Sequence, residues 1–359
     1  MTAAQQVLRR NLLRRLRRTD SLLLVMVLLI AVLGRSYWGG EGEVGQSAPA
    51  VVMLPAEEDT EMRAAGEAPA EESGIPPVLP AKKKGEPVRL LTYNVKNYFV
   101  AGEPQRSRYV LRPKPESARE CVAEVIASAA PQVVGLVEIG GQQALADLQA
   151  RLARRGVELP HAFVLERMGE DRALGILSRW PLVENHSQRD YGLFGNHRRK
   201  LLRGILDVTL RTDDGRQFRV MGAHLKSRVA ENAEAAAALR EQEAQTVYDY
   251  ARRQQQLQPK VPLVIFGDWN DTPADPAVRV MVQGGKREAT TLSRLSPRDS
   301  RGEEWTHYFR SGRQYYVFDQ LFVNGVLRAR IQPRKGCGVV DIPAAERASD
   351  HRALWVDLR

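Results

Sequence analysis

The run from Pro262 to Pro273 constrains this chain most. Leu263 to Phe266 is an apolar stretch of strand length that stops abruptly at Gly267, and Asp268, Asn270 and Asp271 follow at once. A buried strand that ends this way delivers polar groups at its C-terminal mouth. Alternation along a strand turns Asp268 and Asn270 to one side and Trp269 into the packing. An acid beside an amide suits the binding of a water or an anionic oxygen. A plain turn uses the same residue types, so the rest of the chain decides between the two readings.

The pattern recurs. Val88 to Tyr93 alternates like a strand and ends at Asn94, with Lys96, Asn97 and Phe99 beyond it. Gln132 to Ile139 is an apolar run carrying Glu138 near its end, and a carboxylate placed there needs a cation or a donor; a salt bridge to an arginine would satisfy it as well as a metal. Leu202–Leu210 and Gln217–Ala223 read as a hairpin over Asp213-Asp214-Gly215, whose second strand leads into His224 and Lys226. Those two share a face, suited either to a phosphate or to an ordinary core carbonyl and solvent. Asp319 interrupts the apolar strand from Tyr315 to Val323, and Ser349-Asp350-His351 supplies a histidine partner just before the closing strand Ala353–Leu358.

Between these strands the periodicity predicts helices over Lys114–Ala130, Gln142–Arg155 and Ala230–Gln256. The last, rich in alanine, glutamate and arginine, reads as a structural face built on i,i+4 charge pairs, with no chemistry. Gly192–Lys200 reads as a basic loop carrying His197, Arg198, Arg199 and Lys200. No long exposed aromatic hairpin is evident. Cys121 and Cys337 are too few for a disulfide scaffold and have no metal-ligand spacing, so they read as ordinary thiols.

The N-terminus reads as a separate region. Arg9, Arg10, Arg14, Arg15, Arg17 and Arg18 precede the apolar run Leu22–Leu33, which gives residues 1–35 the form of a signal peptide or an uncleaved signal anchor. The run is shorter than the roughly 20 residues of a spanning helix, which favours the signal peptide. Val32-Leu33-Gly34 is only a marginal cleavage site, and the anchor stays open. Residues 36–87 are rich in Glu, Ala, Pro and Gly and read as a disordered acidic linker. The charges of these two segments cancel, so residues 88–359 carry essentially all of the formal +10 and point to an anionic partner. In either export case the body lies outside the cytoplasm. No protein partner is implied.

Together Asn94, Glu138, His224, Gly267-Asp268-Trp269-Asn270, Asp319 and Ser349-Asp350-His351 resemble the motifs of the endonuclease/exonuclease/phosphatase superfamily, in the family's order from about Val88 to Arg359. The resemblance implies a four-layered αββα sandwich, an α/β (α+β) fold in which two mainly antiparallel sheets pack face to face with helices outside. The many short strands interspersed with helices agree with it. The flavour of Asn94-Val-Lys96-Asn97 and His224-Leu-Lys226-Ser227 is closest to bacterial extracellular nucleases. Departures are Val137 where the family has Gln before the glutamate, and Gln132 where it has Asp. An acidic partner for His224 has no clear match; Asp171 is a loose candidate.

The resemblance implies hydrolysis of a phosphodiester. Glu138 and Asp350, with Asn94, would hold a hard divalent ion, and oxygen ligands favour magnesium or manganese, with calcium possible in kind. His351, oriented by Asp319, or else Asp268, would activate the water, while Asn270 and His224 bind non-bridging oxygens. Lys226 and Arg203 are candidate phosphate contacts. The expected substrate is nucleic acid. A phosphatase or phospholipase C-like enzyme of lipid head groups or small phosphoesters is the alternative, and a non-catalytic polyanion-binding module is the alternative of another class. A membrane partner enters through the N-terminal segment if it is uncleaved.

Overall fold

Strands that read as near-continuous apolar runs need cover on both faces, and the computed structural model provides it. It describes residues 86–110, 112–284, 290–332 and 335–359. The export segment and nearly all of the acidic linker lie outside the described residues. Among the described residues no helix is long and apolar enough to cross a membrane.

The chain runs from β1 (Val88–Tyr98) through α1 (Glu116–Ser128) to β2 (Val133–Ile139), then through α2 (Gln142–Arg154) to β3 (His161–Arg167) and β4 (Glu170–Ser178). Next come β5 (Leu182–Asn185), the small pair β6 (Gly192–Leu193) and β7 (Asn196–Lys200), β8 (Leu206–Arg211) and β9 (Gln217–His224). The long helix α3 (Ala233–Leu257) leads to β10 (Leu263–Asp268), α4 (Pro276–Val280), β11 (Leu292–Arg294), β12 (His307–Phe309), β13 (Gln314–Tyr316) and β14 (Asp319–Asn324). The chain closes with α5 (Gly325–Arg328), β15 (Cys337–Val339), α6 (Ala345–Ala348) and β16 (Leu354–Leu358).

Two six-stranded sheets result, in the orders β15-β16-β1-β2-β4-β3 and β11-β14-β10-β9-β8-β5. Each is antiparallel except for one parallel pair at its centre, β1 with β2 and β9 with β10. A parallel pair needs a crossover, and α1 and α3 supply the two. Three apolar layers separate the parts. Leu91, Tyr93 and Val95 face α1 and α2, Leu90, Val137, Val264 and Phe266 fill the space between the sheets, and Ile265, Trp269 and Phe322 face α3. This is the expected four-layered arrangement.

Close packing between the sheets depends on missing side chains. A Cβ on Gly135 would come within 2.6 Å of the Phe266 ring, and one on Gly222 within 2.7 Å. Phe266 thus fills room left by a glycine in each sheet. Gly267 turns the end of β10 at φ +152, where a Cβ would meet the Ala223 carbonyl at 1.8 Å.

Several boundaries differ from the sequence reading. The first helix begins after Pro115 and ends at Ser128, ahead of Ala130, which takes a left-handed φ of +46. The third starts at Ala233, capped by the Asn232 side chain accepting from the Ala235 N–H. The hairpin strand read from Leu202 begins only at Leu206, since Gly204 at φ +70 breaks it. Gly192–Lys200 is a short hairpin whose β7 is wholly exposed, and β12 with β13 forms an aromatic hairpin that the sequence did not announce. Cys121 and Cys337 are free thiols.

The helix read as a plain charged face is not one. Glu243 of α3 is fully buried and accepts from the Leu202 and Lys226 backbone N–H groups, at 3.2 and 2.7 Å. Arg240, also buried, donates to Asp271 at 2.9 Å. These charges point inward and fix the loops beneath the polar rim.

Candidate active site

Both parallel pairs end at the same rim, so their C-terminal residues meet there. Asn94 comes from β1, Glu138 from β2, His224 from β9 and Asp268 from β10. Register extends the row: Asp268 lies opposite His224 on one side and Asp319 on the other. His351, just ahead of β16, arrives from the far neighbour of β1.

Asp268 is the centre. Its Oδ2 accepts from Asn94 Nδ2 at 3.0 Å and lies 3.7 Å from His224 Nε2 and 3.8 Å from His351 Nε2. Its Oδ1 accepts the Asn270 N–H at 2.8 Å. Burial raises the Asp268 carboxyl to about 7; Asp319 and Glu138 push the same way and His351 opposes them. Burial works against charge on His351, but the Asp319 carboxylate, hydrogen-bonded to Nδ1 at 2.7 Å, together with Asp268 and Asp350 outweighs it and raises the imidazole to about 10. His351 is therefore a cation at neutral pH, with Nε2 facing the cleft.

His224 behaves oppositely. Burial, then the nearby Arg203, His351 and Arg172 charges, holds it neutral, well below the usual range. Its Nε2 is 3.8 Å from Glu138 Oε1, and its buried Nδ1 has no hydrogen-bond partner among the described residues. Asp171, the loose candidate for that partner, instead accepts from the Arg106 and Ser107 backbone N–H groups and the Ser107 hydroxyl. Its place explains this correction: Asp171 lies at the start of β4 in the other sheet and is spent on anchoring the loop after β1.

Glu138 sits where the pairing of β2 slips, at φ +62. The kink turns its carboxylate over the rim. Oε2 accepts the Asn97 N–H at 3.1 Å and faces Arg172 Nε at 3.6 Å, while Oε1 lies 3.8 Å from His224 Nε2. Of the alternatives read from sequence, the arginine neighbour is present, on the Oε2 side. Asp350 is held differently: Lys96 Nζ lies 2.9 Å from its Oδ2, and its Oδ1 is 4.0 Å from His351 Nε2.

The remaining candidates divide. Asn270, in the left-handed region at φ +51, uses Nδ2 on the Leu225 carbonyl at 3.1 Å. Arg203 is buried beside the rim, paired with Glu170 at 3.3 Å and donating to the Leu225 carbonyl at 3.1 Å. Lys226 turns away and caps the Ser227 and Val229 carbonyls, at 3.3 and 3.1 Å. Sequence reasoning assigned nothing to Lys96, Arg172 or His307. The His307 ring lies 4.5 Å from that of His351, and the side-chain nitrogen and oxygen atoms of His307, Asp350 and His351 come within 4.8 Å of one another. The only sequence signal for Lys96 was its place one alternation beyond Asn94.

Beside His351 a cavity of about 970 Å³ opens between Trp305, Tyr308 and Tyr315 on one wall and Asp350 on another. Tyr308 and Tyr315 pair across β12 and β13 with ring centroids 4.7 Å apart. Arg352 lies over the Trp305 ring at 4.1 Å. On the other face of the hairpin Tyr316 stacks on Phe318 at 4.6 Å.

The sequence profile described as the endonuclease/exonuclease/phosphatase family matches residues 91–351. Curated proteins give no match. Among solved structures the chain is similar to the human Nocturnin catalytic domain with bound sulfate anion, with 18% identity and TM-score 0.52, covering 76% of this chain and 94% of that one. It is also similar to an endonuclease/exonuclease/phosphatase from Bacteroides vulgatus, with 16% identity and TM-score 0.53 over 76% and 98% of the two chains. Truncated Caenorhabditis elegans TDP2 matches with 14% identity and TM-score 0.51, over 77% and 98%. At these identities the likeness is one of fold.

Proposed function

The chain belongs to the endonuclease/exonuclease/phosphatase family, and from that premise we propose that it is an exported, metal-dependent phosphodiesterase acting on nucleic acid. Members of the family are hydrolases of phosphoester bonds. One observation carries the reading: a buried carboxylate, Asp268, ringed by Asn94, His224 and His351 at 3.0–3.8 Å, all brought from separate segments.

The chain's own groups divide the work. Asp268, raised to about 7, takes a proton from the attacking water as a general base. His351, kept cationic by Asp319, donates from Nε2 to a non-bridging phosphate oxygen. Neutral His224 and Asn94 Nδ2 orient the same phosphate. Glu138 fits a hard divalent ion, since its Oε1 is aimed into the rim and has no hydrogen-bond partner among the described residues. The chemistry such an ion supplies when bound is neutralisation of phosphate and leaving-oxygen charge. Magnesium or manganese suits an oxygen donor best.

Nucleic acid is favoured over other phosphoesters by three features. The formal charge is +10, the β7 strand presents exposed His197, Arg198, Arg199 and Lys200, and aromatic rings wall the cavity next to His351. Bases stack on such rings and phosphates follow such charge. A second reading has its own support: Phe309 and Tyr315 are 44% and 58% exposed on the aromatic hairpin, which suits contact with a lipid surface and a phosphorylated head group. Export rests on the arginine cluster and apolar run before Arg35.

The test is hydrolysis of supercoiled plasmid, single-stranded oligonucleotide and phosphoinositide vesicles by the purified protein, with Mg²⁺, with Mn²⁺ and with EDTA. Metal-dependent cleavage of either nucleic acid that disappears in His351→Ala supports the reading. Vesicle hydrolysis alone moves the assignment to lipid, and binding without turnover of any substrate leaves a polyanion-binding module.

A further inference from the structure

Two consecutive non-glycine residues, Lys96 and Asn97, lie in the left-handed region at φ +44 and +49. Side chains disfavour that region, and it persists where surrounding groups over-determine it. Here they do. The Lys96 N–H donates to Asn94 Oδ1 at 3.0 Å, and Lys114 Nζ donates to the Lys96 carbonyl at 3.1 Å. The Asn97 N–H donates to Glu138 at 3.1 Å, and Arg172 Nε donates to Asn97 Oδ1 at 2.8 Å.

The product of this strain is an ion pair. It directs Lys96 Nζ to within 2.9 Å of Asp350 Oδ2 while the same turn offers a backbone N–H to Glu138. The two carboxylates that the sequence reading offered as metal ligands are therefore in different states. Asp350 is matched by an ammonium; Glu138 keeps Oε1 open. Charge agrees with this division. Arg172 lies 3.6 Å from Glu138 on the side away from Oε1 and Lys96 lies 2.9 Å from Asp350, so a second divalent ion at Asp350 would have to displace an ammonium already in contact.

We propose that Lys96 is a built-in cation that holds Asp350 out of metal coordination, so that this site takes a single divalent ion, at Glu138. Lys96 then supplies on the Asp350 side the positive charge that a second ion would bring to the phosphate. The inference rests on the metal-dependent reading above and adds its stoichiometry and the identity of a positioning residue.

The test is Mn²⁺ binding to the full chain, followed by calorimetry and by the electron paramagnetic resonance of free Mn²⁺. The wild type is expected to bind one equivalent. Glu138→Gln should weaken it at least about tenfold, and Asp350→Asn should leave it unchanged. Lys96→Gln, at a side chain 48% exposed and so tolerant of change, should admit a second equivalent that Lys96→Gln/Asp350→Asn loses again. Loss of Mn²⁺ binding in Asp350→Asn comparable to that in Glu138→Gln overturns the proposal, as does a single equivalent in Lys96→Gln. A wild type that binds no Mn²⁺ and hydrolyses in EDTA overturns the metal-dependent reading itself and the proposal with it.

Discussion

The Asp319 carboxylate accepts from His351 Nδ1 at 2.7 Å, and its own backbone N–H is fixed by the Thr306 hydroxyl at 2.9 Å. That arrangement sets both the tautomer and the charge of the imidazole. Asp319→Asn keeps the shape and removes the charge, so His351 loses the partner that offsets its burial. We expect kcat to fall by about 10²–10³-fold with KM little changed, on the scale of losing one preorganised donor to developing oxyanion charge; steady-state kinetics on an oligonucleotide checks it. Asp319 and His351 were both legible in the sequence, since an acid inside an apolar strand needs a partner. Lys96 was not legible. Its role depends on a left-handed backbone that no residue type there announces.

At the scale of elements, the polar residues that hold the helices to the sheets matter as much as the apolar stripes. Asp147 of α2 accepts from Arg119 of α1 at 2.7 Å, from Tyr98 of β1 at 2.7 Å and from Arg151 at 2.9 Å. Burial alone would raise the Asp147 carboxyl, but the hydrogen bonds from Arg151, Tyr98 and Arg119 outweigh it and hold it at about 2, below the ordinary 3.8. A carboxyl depressed in the folded state stabilises above its unfolded pKa, and the contribution is lost as pH falls through the folded value. Asp147→Asn should therefore cost about 1–3 kcal/mol at pH 7, and the gap between variant and wild type should close between about pH 4 and pH 2. Urea unfolding across that range measures it; a gap that does not depend on pH would mean that packing, not charge, is what Asp147 provides. The periodicity of α2 showed which face is buried but not that Asp147 joins three elements, because that depends on how α1 and β1 lie against it. The same holds for α3, whose Arg240 and Glu243 look like members of a solvated charge ladder until the fold turns them inward.

Over the whole molecule, the exposed β7 strand places basic side chains together on one small hairpin. If it follows a phosphate backbone, affinity for an oligonucleotide falls steeply with salt. Replacing Arg198, Arg199 and Lys200 by alanine should weaken binding to all sequences alike and flatten the salt slope by about one unit per lost phosphate contact. Anisotropy titrations in EDTA at several KCl concentrations read this directly. An unchanged slope would assign the hairpin to plain solubility and move the nucleic-acid path to the aromatic cavity.

The sequence by itself determined most of the strands and what stands at their ends: apolar runs that need cover on both faces, closed by Asn94, Glu138, His224 or Asp268 because a polar group is tolerated only where the layer stops; Asp319, read as interrupting one strand, instead opens β14. It also determined the order of those residues along the chain, and with it the family resemblance. Which of them touch was decided by tertiary structure alone. Asn94 and Asp268 meet across 174 positions, and Ser349 reaches the Asn94 carbonyl across 255. Such contacts follow from sheet register and from the packing of one sheet on the other, where a slip of a single residue would turn every side chain to the opposite face. The pairing of Lys96 with Asp350, the inward turn of Glu243 and the diversion of Asp171 and Lys226 away from the rim arise in the same way. Each results from competition among neighbours that are distant in the chain, and local pattern carries no record of it.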